Sequence, residues 1–502
     1  MHNDQAVKSQ RAFLSSESRT FLSDGMLRNF IGGAWKESAS LETVDVVDPS
    51  CGETLARLPL STRQDVDGAV AAASNAFPTW SALSPVGRSA ILRRLADELQ
   101  ARLPQLAELE ALDVGKAIVN AEGFDIPFGI ECLRYYADFN VTATRDAHLL
   151  IPKMKARVHR VPYGVCGFIL PWNFPFDLLM WGIVPALAAG NTVVVKPSEV
   201  TPLSTLYLCE AAMHAGLPPG VLNVVLGDGK GVGETLATHK NVRRMAFTGS
   251  TMVGRAIAHA CAENLIPCKL ELGGKGAAIV ARDVDIVGAA RGLSDALTLN
   301  TGQVCCTATR WLIHEAIFDD FVSTARDYLG NVRIGPSLSR DTEMGPLTSA
   351  QHLKRVSDYV ARGVSEGASQ LFIGEGHRAK DLPDGFYFSP SLLTGSSENL
   401  CWREEIFGPV AYIVKYRTDD EAVSLVNGSR YGLANSVWST DIEWANAIAE
   451  RLVAGNSWIN AHNVFAYGLP YGGVSLSGLG GGVNGPDTYY DYLRNLTIAQ
   501  PQ

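Results

Sequence analysis

The sequence lacks the cysteine patterns that are typical of disulfide frameworks and zinc sites. Its nine cysteines in 502 residues form no C-x-x-C pair, and no Cys/His cluster has the spacing of zinc ligands. An odd and sparse set of cysteines is typical of a reduced, intracellular protein rather than a secreted one. We therefore expect a cytoplasmic chain without a metal site.

Long uninterrupted apolar runs are also scarce. Residues 1–27 contain no continuous apolar stretch of the kind found in secretory signals, and we expect a disordered or loosely docked tail, with a transit peptide as the alternative. The uncharged run 178–195 is about long enough to span a membrane, but Pro185 and Gly190 interrupt it. A buried helix ending at Gly190 and then a buried strand explain it better, so we expect no membrane partner.

A strong charge of either sign is missing as well. The chain carries 43 Lys and Arg against 52 Asp and Glu, a formal net charge of −9. This mildly acidic balance argues against nucleic acid as a partner. The 46% of hydrophobic residues suffices for a large core divided among two or three domains.

What the chain does contain is a recurring order of β-rich run, Gly or Pro, and helical stretch, with no internal repeat. This order covers roughly 160–280, and a second block covers roughly 281–475 with strand candidates "ATRWLIH", "FGPVAYIVKY" and "SVWS". Alternating strands and helices predict α/β domains with mostly parallel sheets. The only literal G-x-G-x-x-G, "GGGVNG", lies too near the C-terminus to open a βαβ unit.

Several polar residues stand just after predicted buried strands, where open α/β sheets bind ligands. Asn173 in "PWNFP" can stabilise an oxyanion or merely cap a helix. Lys196 and Glu199 in "KPSE" can bind ribose hydroxyls or lie at a surface strand end. Gly249 and Ser250 in "FTGST" open a helix, whose N-terminus favours phosphate.

Two further motifs carry reactive groups. Glu271 in "LELGGKG" ends an apolar strand, where burial should raise its pKa; it is a general base or a satisfied core residue. Cys305 and Cys306 in "GQVCC" are a nucleophile candidate and its neighbour, although most buried cysteines are packing groups.

Taken in order, "PWNFP", "KPSE", "FTGST", "ELGGK", "GQVC" and "EEIFGPV" resemble the NAD(P)-dependent aldehyde dehydrogenase superfamily. The match runs from "FIGGAWKE" near residue 30 to the C-terminus, and the spacing from Glu271 to Cys305 also fits. The resemblance implies a Rossmann-like cofactor domain, an α/β catalytic domain and a small β oligomerisation appendage. The implied boundaries are a tail at 1–27, NAD-binding segments 28–143 and 163–273, a catalytic segment 274–478, and oligomerisation segments 144–162 and 479–502.

The resemblance also implies residue roles. Cys305 would attack the aldehyde, Asn173 and the Cys305 N–H would hold the oxyanion, and Glu271 would activate water to hydrolyse the thioester. Retention of Glu271 indicates the hydrolytic branch rather than the coenzyme-A-acylating one. The implied cofactor-site residues are Trp172, Lys196, Glu199, Gly249, Ser250, Gly254, Leu272, Glu405 and Phe407. Since Glu199 would repel a 2′-phosphate, NAD is expected rather than NADP.

By the same resemblance, an apolar and aromatic tunnel is formed by Phe174, Leu178, Trp181, Val304, Cys306, Phe465, Phe124 and Phe128. Such a tunnel suits a medium-chain aliphatic or aromatic aldehyde, with an amino-aldehyde or semialdehyde as the alternative. Asp177 beside it either attracts a cationic substrate or pairs within the subunit. The family likeness further implies a homodimer or homotetramer.

Two departures from the family pattern stand out. Many members carry a Lys and a Glu, thought to relay protons from the catalytic Glu, where this chain has Gly182 and Gly482. Their joint absence reflects neutral loss of a pair, a water chain used instead, or space for a larger substrate. Two other classes stay open: a non-catalytic structural homologue, and a cysteine hydrolase with His462 as base.

Overall fold

The structure, a computed structural model, describes residues 10–374, 377–378, 382 and 384–501. In chain order the strands are β1 (Asn29–Ile31), β2 (Ala34–Lys36), β3 (Thr43–Val47), β4 (Thr54–Pro59), β5 (Asp146–Ile151), β6 (Met154–Pro162), β7 (Val165–Ile169), β8 (Thr192–Lys196), β9 (Leu222–Val224), β10 (Val242–Thr248), β11 (Cys268–Glu271), β12 (Gly276–Val280), β13 (Ala308–His314), β14 (Arg333–Ile334), β15 (Ser369–Ile373), β16 (His377–Arg378), β17 (Ser391–Thr394), β18 (Val410–Tyr416), β19 (Tyr431–Gly432), β20 (Ala434–Trp438), β21 (Asn456–Ile459), β22 (Val474–Ser475), β23 (Gly478–Leu479) and β24 (Leu493–Pro501).

The helices alternate with these strands through both halves of the chain. They are α1 (Ser16–Phe21), α2 (Arg63–Ala82), α3 (Pro85–Ala101), α4 (Leu103–Val114), α5 (Ile118–Asn120), α6 (Ile126–Thr142), α7 (Pro175–Ala189), α8 (Leu203–His214), α9 (Glu234–Ala237), α10 (Thr251–Glu263), α11 (Ile286–Thr298), α12 (Phe318–Gly330), α13 (Ala350–Ser365), α14 (Leu400–Arg403), α15 (Asp419–Asn427), α16 (Ile442–Ala449) and α17 (Pro486–Tyr490).

The first large sheet has the strand order β2-β1-β9-β8-β7-β10-β11-β23. Its five central strands, from β9 to β11, run parallel, and the residues of β7 and β8 are buried throughout. Ile169 pairs with Lys196 and Thr248 pairs with Glu271, so four strands end at one edge. Ligands of open α/β sheets bind at such an edge.

The second large sheet has the order β15-β17-β18-β13-β12-β20-β21 and is parallel except for β15. The three strand candidates read from the sequence correspond to β13, β18 and β20. Two sheets of mostly parallel strands with intervening helices confirm the predicted α/β fold class.

A third, three-stranded antiparallel sheet stands apart, in the order β24-β6-β5. It joins the hairpin of residues 146–162 to the C-terminal strand. Before reaching it, the chain adds β23 beside β11, antiparallel, at the edge of the first sheet. The oligomerisation role and the domain boundaries stay predictions.

The segment before β1 is packed onto the protein surface. The Gln10 side chain donates hydrogen bonds to Asp48 Oδ2 at 3.0 Å and to Ser337 Oγ at 3.1 Å. Leu14 and Leu22, on either side of α1, are buried. The expectation of a disordered or loosely docked tail is therefore wrong for residues 10–27, because a few apolar side chains anchor this otherwise polar segment. Residues 1–9 lie outside the described residues.

The apolar run 178–195 divides as the sequence predicts. The α7 helix ends at Ala189, Gly190 caps it with φ of 98°, and β8 begins at Thr192. Among the described residues, no helix combines the length and the apolar character that crossing a bilayer requires.

Candidate active site

The cysteine pair lies in the loop between a short 3₁₀ turn, Leu299–Gly302, and β13. Gly302 has φ of 70°, and a Cβ built on it would lie 2.3 Å from the carbonyl carbon of Gly408. Both the left-handed backbone and the close approach require glycine here. The turn therefore fixes the place where the Cys305 side chain enters the cleft.

The two thiols have different surroundings. Cys305 is half-buried, with its Sγ 3.3 Å from the hydroxyl of Tyr471. Interaction with the Cys306 thiol and the Tyr471 hydroxyl lowers the pKa of Cys305 against the effect of burial. The Cys306 thiol is buried and donates to Asn463 Oδ1 at 3.3 Å, and burial raises its pKa well above the ordinary value. This geometry favours Cys305 as the nucleophile and Cys306 as a packing group.

Asn173 lies against the cysteine loop. Its Nδ2 donates to the backbone carbonyl oxygen of Gln303 at 2.9 Å. The backbone carbonyl oxygen of Asn173 accepts a hydrogen bond from Asn300 Nδ2 at 2.8 Å. An amide nitrogen has two donor hydrogens, so one remains for another acceptor. The N-cap of α7 is Phe174, without a side-chain cap bond, so Asn173 does not serve as a helix cap.

Glu271 ends β11 within the same cleft. Its side chain is buried, and its Oε2 atom has no hydrogen-bond partner among the described residues. Burial raises its pKa to about 8, the nearby Lys269 lowers it, and the Cys305 thiolate raises it. A carboxyl group that titrates near neutral pH is suited to accept a proton.

A groove of about 630 Å³ opens beside these three residues. It brings together most of the predicted cofactor-site residues with the predicted catalytic ones: Trp172, Asn173, Glu199, Gly249, Ser250, Glu271, Leu272, Cys305, Glu405 and Phe407. Two predicted cofactor residues do not line it. Lys196 is buried behind the rim, with Nζ 3.0 Å from Glu199 Oε2, and a Cβ on Gly254 would meet Leu272 Cδ2 at 2.4 Å, so Gly254 permits close packing of α10 on Leu272.

The groove fits a dinucleotide. Ser250 caps the N-terminus of α10, a helix without acidic residues in its first turn, which suits a pyrophosphate. The Glu405 carboxylate accepts the Gly274 N–H at 2.8 Å, and a Cβ on Gly273 would lie 2.2 Å from that carboxylate. Glycine therefore leaves the Glu405 carboxylate room beside the groove.

An aromatic wall closes the other side of the cleft. Trp181, Phe128 and Phe465 contact one another at ring-centroid distances of 5.9 to 6.5 Å, and Phe124 stacks on Phe128 at 5.1 Å. Leu178, one turn before Trp181 on α7, borders the cleft next to Cys305. The remaining predicted tunnel residues, Phe174, Val304 and Cys306, are buried in the same apolar cluster, and their place in the tunnel wall stays a prediction.

Two residues of this wall were missed from the sequence. Tyr471 links the aromatic rings to the thiol, because it contacts Phe465 at 5.4 Å and Trp181 at 5.6 Å. Tyr467 stacks on Phe128 at 4.5 Å. Both follow the second large sheet in an irregular segment, where no periodicity marks which side chains face the cleft.

Asp177 departs from the expectation that it pairs within the subunit. It is buried with Oδ1 unbonded, and no ion pair with it occurs among the described residues. The nearby Lys116 contacts Glu110 at 3.1 Å and Asp125 at 2.6 Å instead. Burial, above all, and repulsion from Asp125 raise the pKa of Asp177 well above its ordinary value, which disfavours the charged form.

His462 has the wrong partners for a hydrolase base. Its Nε2 lies 2.8 Å from the Cys306 carbonyl oxygen and its Nδ1 lies 3.0 Å from Ser436 Oγ. Burial lowers its pKa to about 4. Since both ring nitrogens are engaged away from the Cys305 thiol, the geometry gives the hydrolase alternative no support.

Known proteins resemble this chain over most of its length. The sequence matches the family described as the aldehyde dehydrogenase family over residues 35–498. Phenylacetaldehyde dehydrogenase of Pseudomonas fluorescens is 38% identical over 90% of this chain and 91% of its own. The 2-aminomuconic semialdehyde dehydrogenase of Mus musculus is 36% identical over 94% of this chain and 98% of its own.

Solved structures of aldehyde dehydrogenases share this fold. PnpE from Pseudomonas sp. WBC-3 shares it too. PnpE also has a crystal structure in complex with nicotinamide adenine dinucleotide. That structure superposes with a TM-score of 0.92 at 38% identity, covering 95% of this chain and 97% of the other.

Proposed function

Because the chain belongs to the aldehyde dehydrogenase family, we propose that it oxidises a medium-chain aliphatic or aromatic aldehyde to the acid through a thioester on Cys305. The single observation that carries this proposal is the arrangement of Cys305, Asn173 and Glu271 between the groove of about 630 Å³ and the aromatic wall. NAD, when bound in the groove, supplies the hydride acceptor.

Cys305 and Asn173 carry the first half of the reaction. Since the pKa of Cys305 is lowered, its thiolate is available to attack the carbonyl carbon. The oxyanion that forms is stabilised by the free N–H of the Asn173 amide and by the Cys305 backbone N–H. Asn173 is held in place by Gln303, which belongs to the same loop as the nucleophile.

Glu271 carries the second half. A water molecule adds to the thioester carbon, its proton passes to the Glu271 carboxylate, and the C–S bond breaks with Cys305 leaving as thiolate. The pKa of Glu271 near 8 allows the carboxyl group both to take up and to release a proton near neutral pH. Glu271 borders the cleft, and its buried carboxyl group has an oxygen without a hydrogen-bond partner among the described residues, which is consistent with that role.

The wall of the cleft supports the proposed substrate class. Trp181, Phe465 and Phe128 offer apolar surface next to Tyr471 and the thiol. Asp177 is buried and its charged form is disfavoured, so it is poorly suited to attract a cationic amino-aldehyde. A semialdehyde remains the second candidate, favoured by the relative that bears that name.

The adenosine side of the groove supports NAD rather than NADP. Glu199 lines the groove with its carboxylate held 3.0 Å from Lys196 Nζ. A carboxylate there accepts bonds from ribose hydroxyls and repels a 2′-phosphate.

The test mixes the protein with NAD or NADP and a panel of aromatic, aliphatic, amino and acidic aldehydes without coenzyme A. We expect NADH formation that is fastest with aromatic or medium-chain aldehydes, weaker with NADP, and abolished in Cys305→Ala. Cys306→Ala, which removes the neighbouring buried thiol but keeps the nucleophile, is the matched control: it should lower the rate, because the Cys306 thiol lowers the pKa of Cys305, but should not abolish activity. Equal activity in Cys305→Ala would refute the thioester, and a preference for acidic aldehydes would favour the semialdehyde.

A further inference from the structure

There is no room for a side chain at Gly182 and Gly482, the two positions where the family pattern has a Lys and a Glu. A Cβ built on Gly182 would lie 2.9 Å from the Phe168 ring, and one on Gly482, which has φ of 76°, would lie 2.3 Å from the Tyr471 carbonyl oxygen. Neither glycine therefore opens space for a larger substrate. If Glu271 has a charged partner, that partner must reach the cleft from elsewhere.

Lys269 provides such a charge. It lies two residues before Glu271 on β11, and side chains two apart on a strand point to the same face. Both side chains are buried and border one cavity of about 40 Å³ next to Cys305. A cavity of this size is large enough for a water molecule. Gly182 borders the same cavity, so Lys269 occupies the neighbourhood that the missing lysine would have occupied.

The Lys269 ammonium group is bound by Asp491 and by the backbone at Gly482. Its Nζ lies 2.5 Å from Asp491 Oδ2, just after α17, and it donates a hydrogen bond to the Gly482 carbonyl oxygen. A buried lysine without such partners would lose its proton, because burial disfavours the charged form. Burial lowers the pKa of Lys269, and the pairing with Asp491 opposes that effect by favouring the charged form.

The other charged groups around this cavity are few. Cys305 faces Glu271 from its loop, and Arg244 on β10 lies 3.9 Å from Asp491. Tyr471 and Tyr492 also border the cavity, and the α7 residues that border it carry no charge. Lys269 is the cation whose charge acts on Glu271, lowering the pKa of that carboxyl group, whereas the Cys305 thiolate raises it.

We propose that Lys269, held by Asp491, is the positioning residue that favours the carboxylate form of Glu271, the form that takes a proton from the hydrolytic water. This inference rests on the function proposed above. In the step concerned, the water oxygen bonds to the thioester carbon, one water proton moves to Glu271, and the C–S bond electrons leave with the Cys305 sulfur. The acid is released, Glu271 is left neutral, and the positive charge of Lys269 favours the return of Glu271 to the carboxylate form.

The experiment compares wild type with Lys269→Met, Asp491→Asn and Arg244→Met. Infrared difference spectra against pH follow the protonated carboxyl band that Glu271→Gln removes, which requires no turnover. We expect the Glu271 midpoint to rise by about one pH unit or more in Lys269→Met, and by less in Asp491→Asn. Arg244→Met is the matched control, because Arg244 is the other cation beside Asp491 but does not border the cavity. This variant should leave the Glu271 midpoint unchanged.

Kinetics provide a second readout. In Lys269→Met the rising limb of the rate against pH should shift upward by the same amount. At neutral pH a burst of about one NADH per site should precede a slowed steady state, because hydrolysis limits turnover.

An unmoved Glu271 midpoint in Lys269→Met, or in Asp491→Asn if the lysine variant does not fold, would overturn this role. An equal shift in Arg244→Met would overturn it too. Absence of NADH formation in the wild type would instead refute the proposed function and leave the Glu271 titration as the test of Lys269.

Discussion

At the scale of single residues, the site is defined by what each reactive group touches. Identical neighbours in sequence, Cys305 and Cys306, differ because one thiol meets the Tyr471 hydroxyl in the cleft while the other is buried against Asn463. Glu271 and Lys269 differ in the same way on one strand, because Lys269 is paired with Asp491 whereas Glu271 Oε2 has no hydrogen-bond partner among the described residues. Short-range contacts thus assign roles that residue type alone leaves open.

The Tyr471 hydroxyl should tune the nucleophile. A donor 3.3 Å from the Cys305 sulfur stabilises the thiolate, so Tyr471→Phe should raise the pKa of Cys305. We expect the pH profile of iodoacetamide alkylation to move upward, with the rate at neutral pH falling by up to roughly tenfold, the usual scale for a bond to a charged group. Tyr467→Phe is the matched control, because its hydroxyl donates to the Phe128 carbonyl at 2.8 Å instead. An equal shift in both variants would contradict this reading.

At the scale of elements, close contact between α7 and β7 decides which residues are tolerated. Gly182 on α7 faces the Phe168 ring, and Phe168 is fully buried in β7. The family pattern read from sequence has a lysine at this position, and the sequence alone leaves several reasons for its loss open. The structure supplies one, because the ring occupies the room that a side chain would need.

Gly182→Lys should therefore destabilise the fold. Overpacking a filled core site typically costs about 1–3 kcal/mol, and the buried ammonium group adds to that cost. We expect a lower midpoint in denaturant unfolding. Adding Phe168→Ala to the same chain should cost less than the sum of the two single losses, because the lysine side chain then occupies room left by the ring. If Gly182→Lys is as stable as wild type, the space at this position is larger than the contact indicates.

Elements and motifs differ in how far the sequence predicts them. The break of the apolar run at Gly190 follows from local chemistry, since glycine permits the left-handed cap with φ of 98°. Tyr471 could not be found this way, because its position depends on a loop that packs across both sheets. Lys269 has a signal in the sequence, a charge in an apolar strand two positions before Glu271, but it belongs to none of the motifs that point to the site.

At the scale of the whole molecule, the fold class follows from the alternation of strands and helices, while tertiary docking does not. Gln10 illustrates the difference, because its bonds to Asp48 and Ser337 join parts of the chain that are far apart in sequence. Asp177 is a second case, since its lack of an ion pair depends on Lys116 being engaged elsewhere.

The three-stranded sheet is where the molecule should associate with another copy. Leu150 at the tip of the β5–β6 hairpin is fully exposed, and Leu149, Ile151 and Ile498 are about 40% exposed. Apolar side chains on an exposed edge strand are a template for pairing and cost free energy in water. We expect a homodimer or homotetramer in sedimentation experiments, and Leu150→Asp should shift it toward smaller species without loss of NAD binding. Val287→Asp is the matched control, since Val287 is an apolar residue 66% exposed on α11, outside this sheet. A monomeric wild type would contradict the expectation, and so would an assembly that Leu150→Asp leaves intact.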